Sequence, residues 1–395
     1  MNKKIIFLIS LISSIFCAIS GVNAQTTLGG QNGRNVITTA VPFISFAPDS
    51  RSSGMGDAGV ATSPDANSAH WNAGKLAFIK NDFGASLSYT PWLGRIVDDM
   101  SISYLTGFYK IDRTQTIGAS MRYFDLGSID LRDINGVSEG IDNPKEFAFD
   151  LTYSRQLSEN IGVGVTTRYI SSNIASQISA QNNTAKTGSS VAVDLGFYFN
   201  KGIVLSGKNT DISFGMHISN IGQKVSYSDE DNADFIPTNL RLGTAFKTSL
   251  DPYNSITFAL DFNKLLVPTP PLRDEVTNEI IAGRDDNRNL LSGIFGSFGD
   301  APGGGKEELN EISIAAGAEY WYREIFAARA GYFFENDTKG GRKYITIGVG
   351  FRYQKFGVDF SYLIPPEQNN PLSETIRFSL LFNFAGSGDG EEAGN

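Results

Sequence analysis

Two histidines, His70 and His217, are the whole imidazole complement of this chain. A metal site built on imidazole needs further Cys, His or carboxylate ligands gathered around it, and neither histidine has such a cluster beside it in sequence. A Ser–His–Asp arrangement is set by geometry rather than spacing, so the many serines give that reading no specificity. Cys17 is the one cysteine. It falls in an N-terminal leader, which leaves the mature chain without a thiolate nucleophile, a disulfide or a cysteine-held metal. Gly303-Gly304-Gly305-Lys306 looks like a phosphate loop, but the P-loop spacing, the following Ser/Thr and a strand–loop–helix setting are missing. It reads as a flexible loop. No cofactor and no catalytic or metal constellation is expected, and the two histidines read as polar lumen side chains, His217 on the wall and His70 in the segment before the first strand.

Two other segments are dense with information. From 48 to 76 the chain is rich in small residues, with Gly54, Gly56, Gly59 and Gly74, a composition that permits tight backbone turns in a confined space. From 264 to 310 runs a long segment that starts stiff and extended at Pro268-Thr269-Pro270-Pro271. Further on, Leu290, Leu291, Ile294, Phe295 and Phe298 fall on one side of a helix of about three turns.

The elements that hold these segments announce themselves by period-two alternation. Phe147, Phe149, Leu151 and Tyr153 alternate with Ala148, Asp150, Thr152 and Ser154; Val191, Val193, Leu195, Phe197 and Phe199 do the same, as do Ile376, Phe378, Leu380 and Phe382. Fourteen such runs are expected, near 82–90, 97–109, 114–125, 146–156, 161–173, 189–200, 209–219, 238–248, 254–263, 311–322, 325–335, 343–353, 356–363 and 375–384. Their lengths suit tilted membrane-spanning strands. The off-face carries Asp150, Arg168, Asp194, Arg241, Asp261, Glu319, Arg329, Asp359 and Arg377 among many Gly and Ser. In a barrel these residues line the lumen and the phenylalanines meet lipid. Links after even strands are mostly short and those after odd strands long, the pattern of an outer-membrane barrel with periplasmic turns and outside loops. An even strand number places both termini in the periplasm on this reading. Trp92, Tyr320-Trp321-Tyr322 and Tyr332-Phe333-Phe334 read as interfacial girdles. Arginine should be costly at Phe149, Leu195 or Phe378 and much less so at the lumen positions Ser154 or Ser379.

The rest of the chain fits that class. Lys3 and Lys4, the apolar run Ile5 to Ile19 and the small residues at Val22-Asn23-Ala24 make a signal peptide over 1–24. No later stretch is long and apolar enough for a spanning helix. The chain has 33 Lys+Arg against 42 Asp+Glu, a formal net charge of −9, and losing the leader's two lysines takes it to about −11, which argues against a nucleic-acid partner. The expected organisation is all-β: a signal peptide over 1–24, an N-terminal arm and plug over 25–81, an antiparallel barrel of about fourteen strands over 82–384, and a periplasmic tail over 385–395. A lumen of that size must be filled by something, and the segment before the first strand is available. The apolar stripe on the outside loop 264–310 must cover something too: its own barrel mouth, or a partner.

The small-residue segment carries a resemblance. Ser53-Gly54-Met55-Gly56-Asp57-Ala58-Gly59-Val60-Ala61, followed by Asp65-Ala66-Asn67-Ser68-Ala69-His70-Trp71-Asn72-Ala73-Gly74, resembles the N-terminal plug of the FadL long-chain fatty-acid transporter superfamily. Within it, the chain resembles the PorV (LptO) family of the type IX secretion system over its whole mature length. Asn72-Ala73-Gly74 departs from the superfamily's usual Asn-Pro-Ala. The resemblance implies an outer-membrane shuttle and adaptor rather than an enzyme. Its implied partners are the giant translocon barrel (SprA/Sov-like), cargo proteins through their C-terminal signal domains, the sortase-like PorU and outer-membrane lipid. The alternative is a FadL-type transporter of long-chain fatty acids or other hydrophobic small molecules. The lipid A deacylase role suggested by the name LptO finds no supporting residues.

Overall fold

The computed structural model describes residues 34–94, 97–133, 135–174, 186–227, 233–366 and 375–384. The leader 1–24, the first part of the arm and the tail 385–395 lie outside them. The strands are β1 (Phe83–Pro91), β2 (Ser101–Lys110), β3 (Gln115–Asp125), β4 (Ile129–Arg132), β5 (Ser138–Asp142), β6 (Lys145–Ser158), β7 (Ile161–Asn173), β8 (Gly188–Leu205) and β9 (Lys208–Gly222). They continue as β10 (Asn239–Ser249), β11 (Asn254–Leu265), β12 (Leu272–Arg273), β13 (Ile280–Ala282), β14 (Ser313–Tyr322), β15 (Phe326–Phe334), β16 (Lys343–Tyr353), β17 (Phe356–Ile364) and β18 (Ile376–Phe384).

Fourteen of these close into one antiparallel barrel, in the order β1-β18-β17-β16-β15-β14-β11-β10-β9-β8-β7-β6-β3-β2. The seam is the β1–β18 ladder, with Phe83 opposite Phe384 and Leu87 opposite Leu380. All fourteen expected strands are present. Two features depart from expectation. The segments 126–145 and 264–310 each hold a small hairpin outside the barrel, β4–β5 and β12–β13. Strand β8 runs on past Asn200 and meets β9 at Ser206-Gly207, both with positive φ, of 51° and 78°, the two-residue hairpin turn that needs left-handed backbone at both positions.

Side chains alternate across the wall as the sequence requires. Phe149, Leu151, Leu195, Phe258, Ile347, Phe378 and Leu380 point outward and are exposed, while Asp150, Thr152, Asp194, Thr257, Thr346 and Ser379 are buried inside. An apolar belt of this extent would be costly in water and belongs in hydrocarbon. The girdle reading needs correction, because alternation splits each aromatic cluster. Phe333 turns inward and stacks on Tyr344 with centroids 4.9 Å apart, and Trp92 stacks on Phe46 at 4.3 Å.

The segment before β1 does not stay at the short-turn end. Asp82 lies at that end, its N–H on the Phe384 carbonyl at 3.1 Å. Asn35 lies at the other, its N–H on the Thr338 carbonyl at 2.9 Å in the long link between β15 and β16. Residues 35–81 therefore run through the barrel from mouth to mouth.

Candidate functional site

The threaded segment is held by short turns whose polar groups bond to the lumen wall. Asp49 starts the first of them. One of its carboxylate oxygens accepts the Ser52 N–H at 2.9 Å and the other accepts Trp71 Nε1 at 2.6 Å, so a single N-cap side chain joins both halves of the motif. The Ser50 N–H donates to Ser379 Oγ at 2.9 Å. Ser53, Met55 and Ala58 are fully buried, and Met55 packs in an apolar cluster with Ala58, Ala245, Ala315, Phe333 and Leu363. Gly56 has φ +70° and approaches Tyr332 so closely that a Cβ would lie 2.5 Å from its backbone nitrogen. Its N–H donates to Thr346 Oγ1 at 2.8 Å. Asp57 accepts the Tyr344 hydroxyl at 2.6 Å.

The second half folds back on the first. Asp65 accepts the Asn67 N–H at 2.9 Å, and Ser68 Oγ accepts the Asp65 N–H at 2.8 Å; Asn67 and Ser68 are buried. Asn72 accepts the Gly74 N–H at 3.0 Å and donates to the carbonyls of Val60 at 3.1 Å and Phe197 at 2.8 Å. Without the usual proline, the turn is closed by this side chain and by a bare Gly74, whose Cβ would lie 2.9 Å from the Gly162 carbonyl oxygen.

Charge locks the assembly. Arg51 donates two hydrogen bonds to Glu319, at 2.9 and 2.8 Å, and pairs with Asp65 at 2.8 Å. Glu319 also pairs with Arg329 at 2.8 Å, and Arg329 with Asp359 at 2.8 Å. Consecutive N–H groups of Gly59 and Val60 donate to one oxygen of Asp261, at 2.7 and 2.9 Å. The sequence pattern placed Asp261, Glu319, Arg329 and Asp359 in the lumen. It missed Asp49 and Arg51, and only the cap spacing Asp49-x-x-Ser52 pointed to the first. Lumen serines are not permissive either. Ser379 Oγ is shared by the Ser50 N–H, Ser50 Oγ and Ser88 Oγ, at 2.7 to 3.1 Å, which leaves no room for arginine.

The histidines do not form a site together. His70 Nδ1 lies 2.9 Å from Arg122 Nη2, and His217 Nε2 lies 3.9 Å from Asp194 Oδ2. Among the described residues no group of three His, Cys, Asp or Glu could hold a metal ion.

The arm stoppers the long-loop mouth from within. Ala40, Val41, Phe43 and Ile44 pack with Trp92, Ile102, Phe124, Ile170, Val225 and Ile236, and Arg122 Nη1 caps the Phe43 carbonyl at 2.9 Å. Above it, segment 264–310 is ordered by a knot of charge. Lys264 pairs with Glu308 and Glu311, and Lys339 with Glu307 and Glu311, at 2.5 to 3.0 Å. The Gly-rich stretch is not a flexible loop: Gly304 precedes a helix over Gly305–Asn310, and Glu307 accepts the Gly303 N–H at 2.6 Å.

The apolar stripe is divided. Its helix is shorter than expected, Leu290–Gly296. Ile294 is buried and Leu290 half-buried, while Gly293 is close to the Phe235 ring and Pro268. Leu291 stays 63% exposed, Phe295 75% and Phe298 54%, and Leu309 of the next helix 69%. A hollow of about 430 Å³, lined by Lys264, Phe298, Glu308, Leu309 and Ile312, adjoins them.

A closed fourteen-strand barrel with an apolar outer belt, a charged inner face and its own chain threaded through the lumen defines a stoppered outer-membrane barrel. The family model for type IX secretion system protein PorV matches residues 29–272. The chain belongs to the PorV family, which places it in type IX secretion. The match spans the threaded segment and β1 to β11 and ends before the helix at Leu290. No curated protein matches the chain. Among solved structures it is similar to the Ralstonia pickettii toluene transporter TbuX, at 11% identity and TM-score 0.46, over 85% of this chain and 98% of that one. It is also similar to a Pseudomonas aeruginosa FadL homologue, at 11% identity and TM-score 0.42, over 89% and 100%.

Proposed function

We propose that this barrel is the shuttle and adaptor of its secretion system. It binds the giant translocon barrel, takes cargo by the C-terminal signal domain, and delivers it to the sortase-like PorU for surface attachment. Membership of the PorV family carries this reading. The finer part concerns the loop. Leu291, Phe295, Phe298 and Leu309 leave apolar surface exposed, Phe298 and Leu309 at the lip of a hollow, on a loop tied down by buried ion pairs. Uncovered apolar surface of this kind marks an interaction site, and we assign it to the translocon or the cargo signal domain. The inward turn of Ile294 supports a double role for the helix, in which one face rests near Phe235 and Pro268 and the other takes a partner. The rival reading, passage of a long-chain fatty acid, has the arm and the plug standing in its path.

The test is affinity purification of the variant L291S/F295S/F298S. Its barrel should fold and resist heat on gels like the wild type, yet lose co-purification with translocon and cargo. Cells lacking the gene should fail to deliver type IX cargo to the surface. A folded triple variant that binds both partners at wild-type level would sink the docking assignment. Fatty acid in place of the translocon in the wild-type eluate would sink the adaptor reading.

A further inference from the structure

The direction in which residues 35–81 cross the barrel has a consequence for topology. The barrel strands begin at Phe83 and end at Phe384, paired at one mouth. The short turns Ser158 to Ile161, Ser206-Gly207 and Tyr353 to Phe356 lie at that mouth as well. The contacts of Asn35 to Phe46 lie at the opposite one. Asn35 N–H donates to the Thr338 carbonyl at 2.9 Å, and Asn35 Nδ2 donates to the Pro270 carbonyl at 3.1 Å and to Glu307 Oε1 at 2.9 Å. The Ala40 N–H donates to the Phe235 carbonyl at 2.9 Å. Phe43 packs on Phe124, and Phe46 on Trp92, which follows β1.

We infer that the chain enters the barrel from the face that carries the long loops, so that the stretch from Asn35 to Phe46 lies at that face while the last strand ends at the other. Asn35 is the strap. One side chain and one N–H reach two separate loops, 266–312 and 335–342, and the bond to Glu307 joins the strap to the Lys339 ion pair. Any movement of loop 264–310 is thereby linked to the arm, and through the arm to the plug. With short turns in the periplasm, the exposed residues Val36 and Thr38 face the cell exterior.

The test uses the full-length chain. Its only cysteine lies at position 17, so the variants V36C and T38C each carry a unique thiol in the mature protein. V276C, on the exposed tip of loop 264–310, and E159C, in a short turn, are the controls. With a membrane-impermeant maleimide on intact cells, V36C and T38C should label with V276C, and E159C only after lysis. Arm thiols that label with E159C would overturn the threading. The strap is tested separately by N35A. Tryptic cutting within loop 264–310 on intact cells should speed up by roughly thirtyfold, since the two side-chain hydrogen bonds to the Pro270 carbonyl and Glu307 are removed, with the barrel's heat resistance unchanged. An unchanged cutting rate would overturn the strap. Neither result depends on whether the protein is a secretion adaptor.

Discussion

At the scale of single residues, the molecule depends on charges that never meet water. Arg51 is buried and shared between Glu319 and Asp65, and Glu319 is buried under two guanidinium groups. Removing one partner of such a group leaves a desolvated charge, which costs far more than the intact pair contributes. R51A should therefore lower the barrel's stability by about 3–5 kcal/mol, read as a fall in the temperature at which the compact gel band converts to the unfolded one. R51M/E319M, which removes both charges, should recover part of that loss. An R51A barrel that melts with the wild type would show the network to be idle. The period-two pattern assigned Glu319 and Arg329 to the lumen, because facing is a local property of a strand. It could not pair Arg51 with a residue so far along the chain. That contact exists only once the plug is folded inside a closed barrel.

At the scale of elements, the pattern is legible where lipid and lumen impose two different faces, and it fades where they stop. Strands β1, β3 and β16 match their expected bounds closely because every second residue is buried. Strand β8 extends beyond Asn200, pairing Lys201 to Leu205 with Ile212 to Lys208 of β9. Side chains there are mostly exposed on both faces, so no alternation marked them. The loop helix ended early for a related reason: Gly293 and Gly296 are poor helix formers, and Ser297 Oγ bonds back to the Ile294 carbonyl at 2.8 Å. The loop itself should respond to acid. Burial pushes the Glu307 carboxyl up, but the hydrogen bond and charge of Lys339 outweigh it, with the Gly303 N–H and Asn35, and hold it below the usual carboxylate range. A depressed carboxylate contributes stability that is present above its unfolded value, about 4.3, and is lost as pH falls through the folded value. Hydrogen exchange in loop 264–310, corrected for intrinsic rate, should stay slow from neutral pH down to about 5 and accelerate below about 4. Protection lost already above pH 6 would point to another group.

At the scale of the whole molecule, strand number sets what the barrel must do with its interior. Eight strands fill their own lumen and sixteen to eighteen leave an open channel; fourteen leave a space that residues 35–81 occupy with buried side chains, from Phe43 at one mouth to Leu76 near the other. The need for a filler was legible in the sequence, and so was its identity. Its direction was not, because an even strand count fixes where Phe83 and Phe384 lie and says nothing of a segment that crosses between them. The wall and the filler are interlocked at close range: a Cβ on Gly331 would lie 2.1 Å from the Gly56 nitrogen, so the two backbones touch there with no room for a side chain. A stoppered barrel of this kind should not conduct. Reconstituted in a planar bilayer, the wild-type protein should give no steady open state, whereas a variant lacking residues 48–76 should give one, since Arg51, Met55, Trp71 and Asn72 would then be gone from the lumen. A steady conductance from the wild type would mean that the plug leaves its contacts at rest. The interlock of plug and wall would then be one state of a gate.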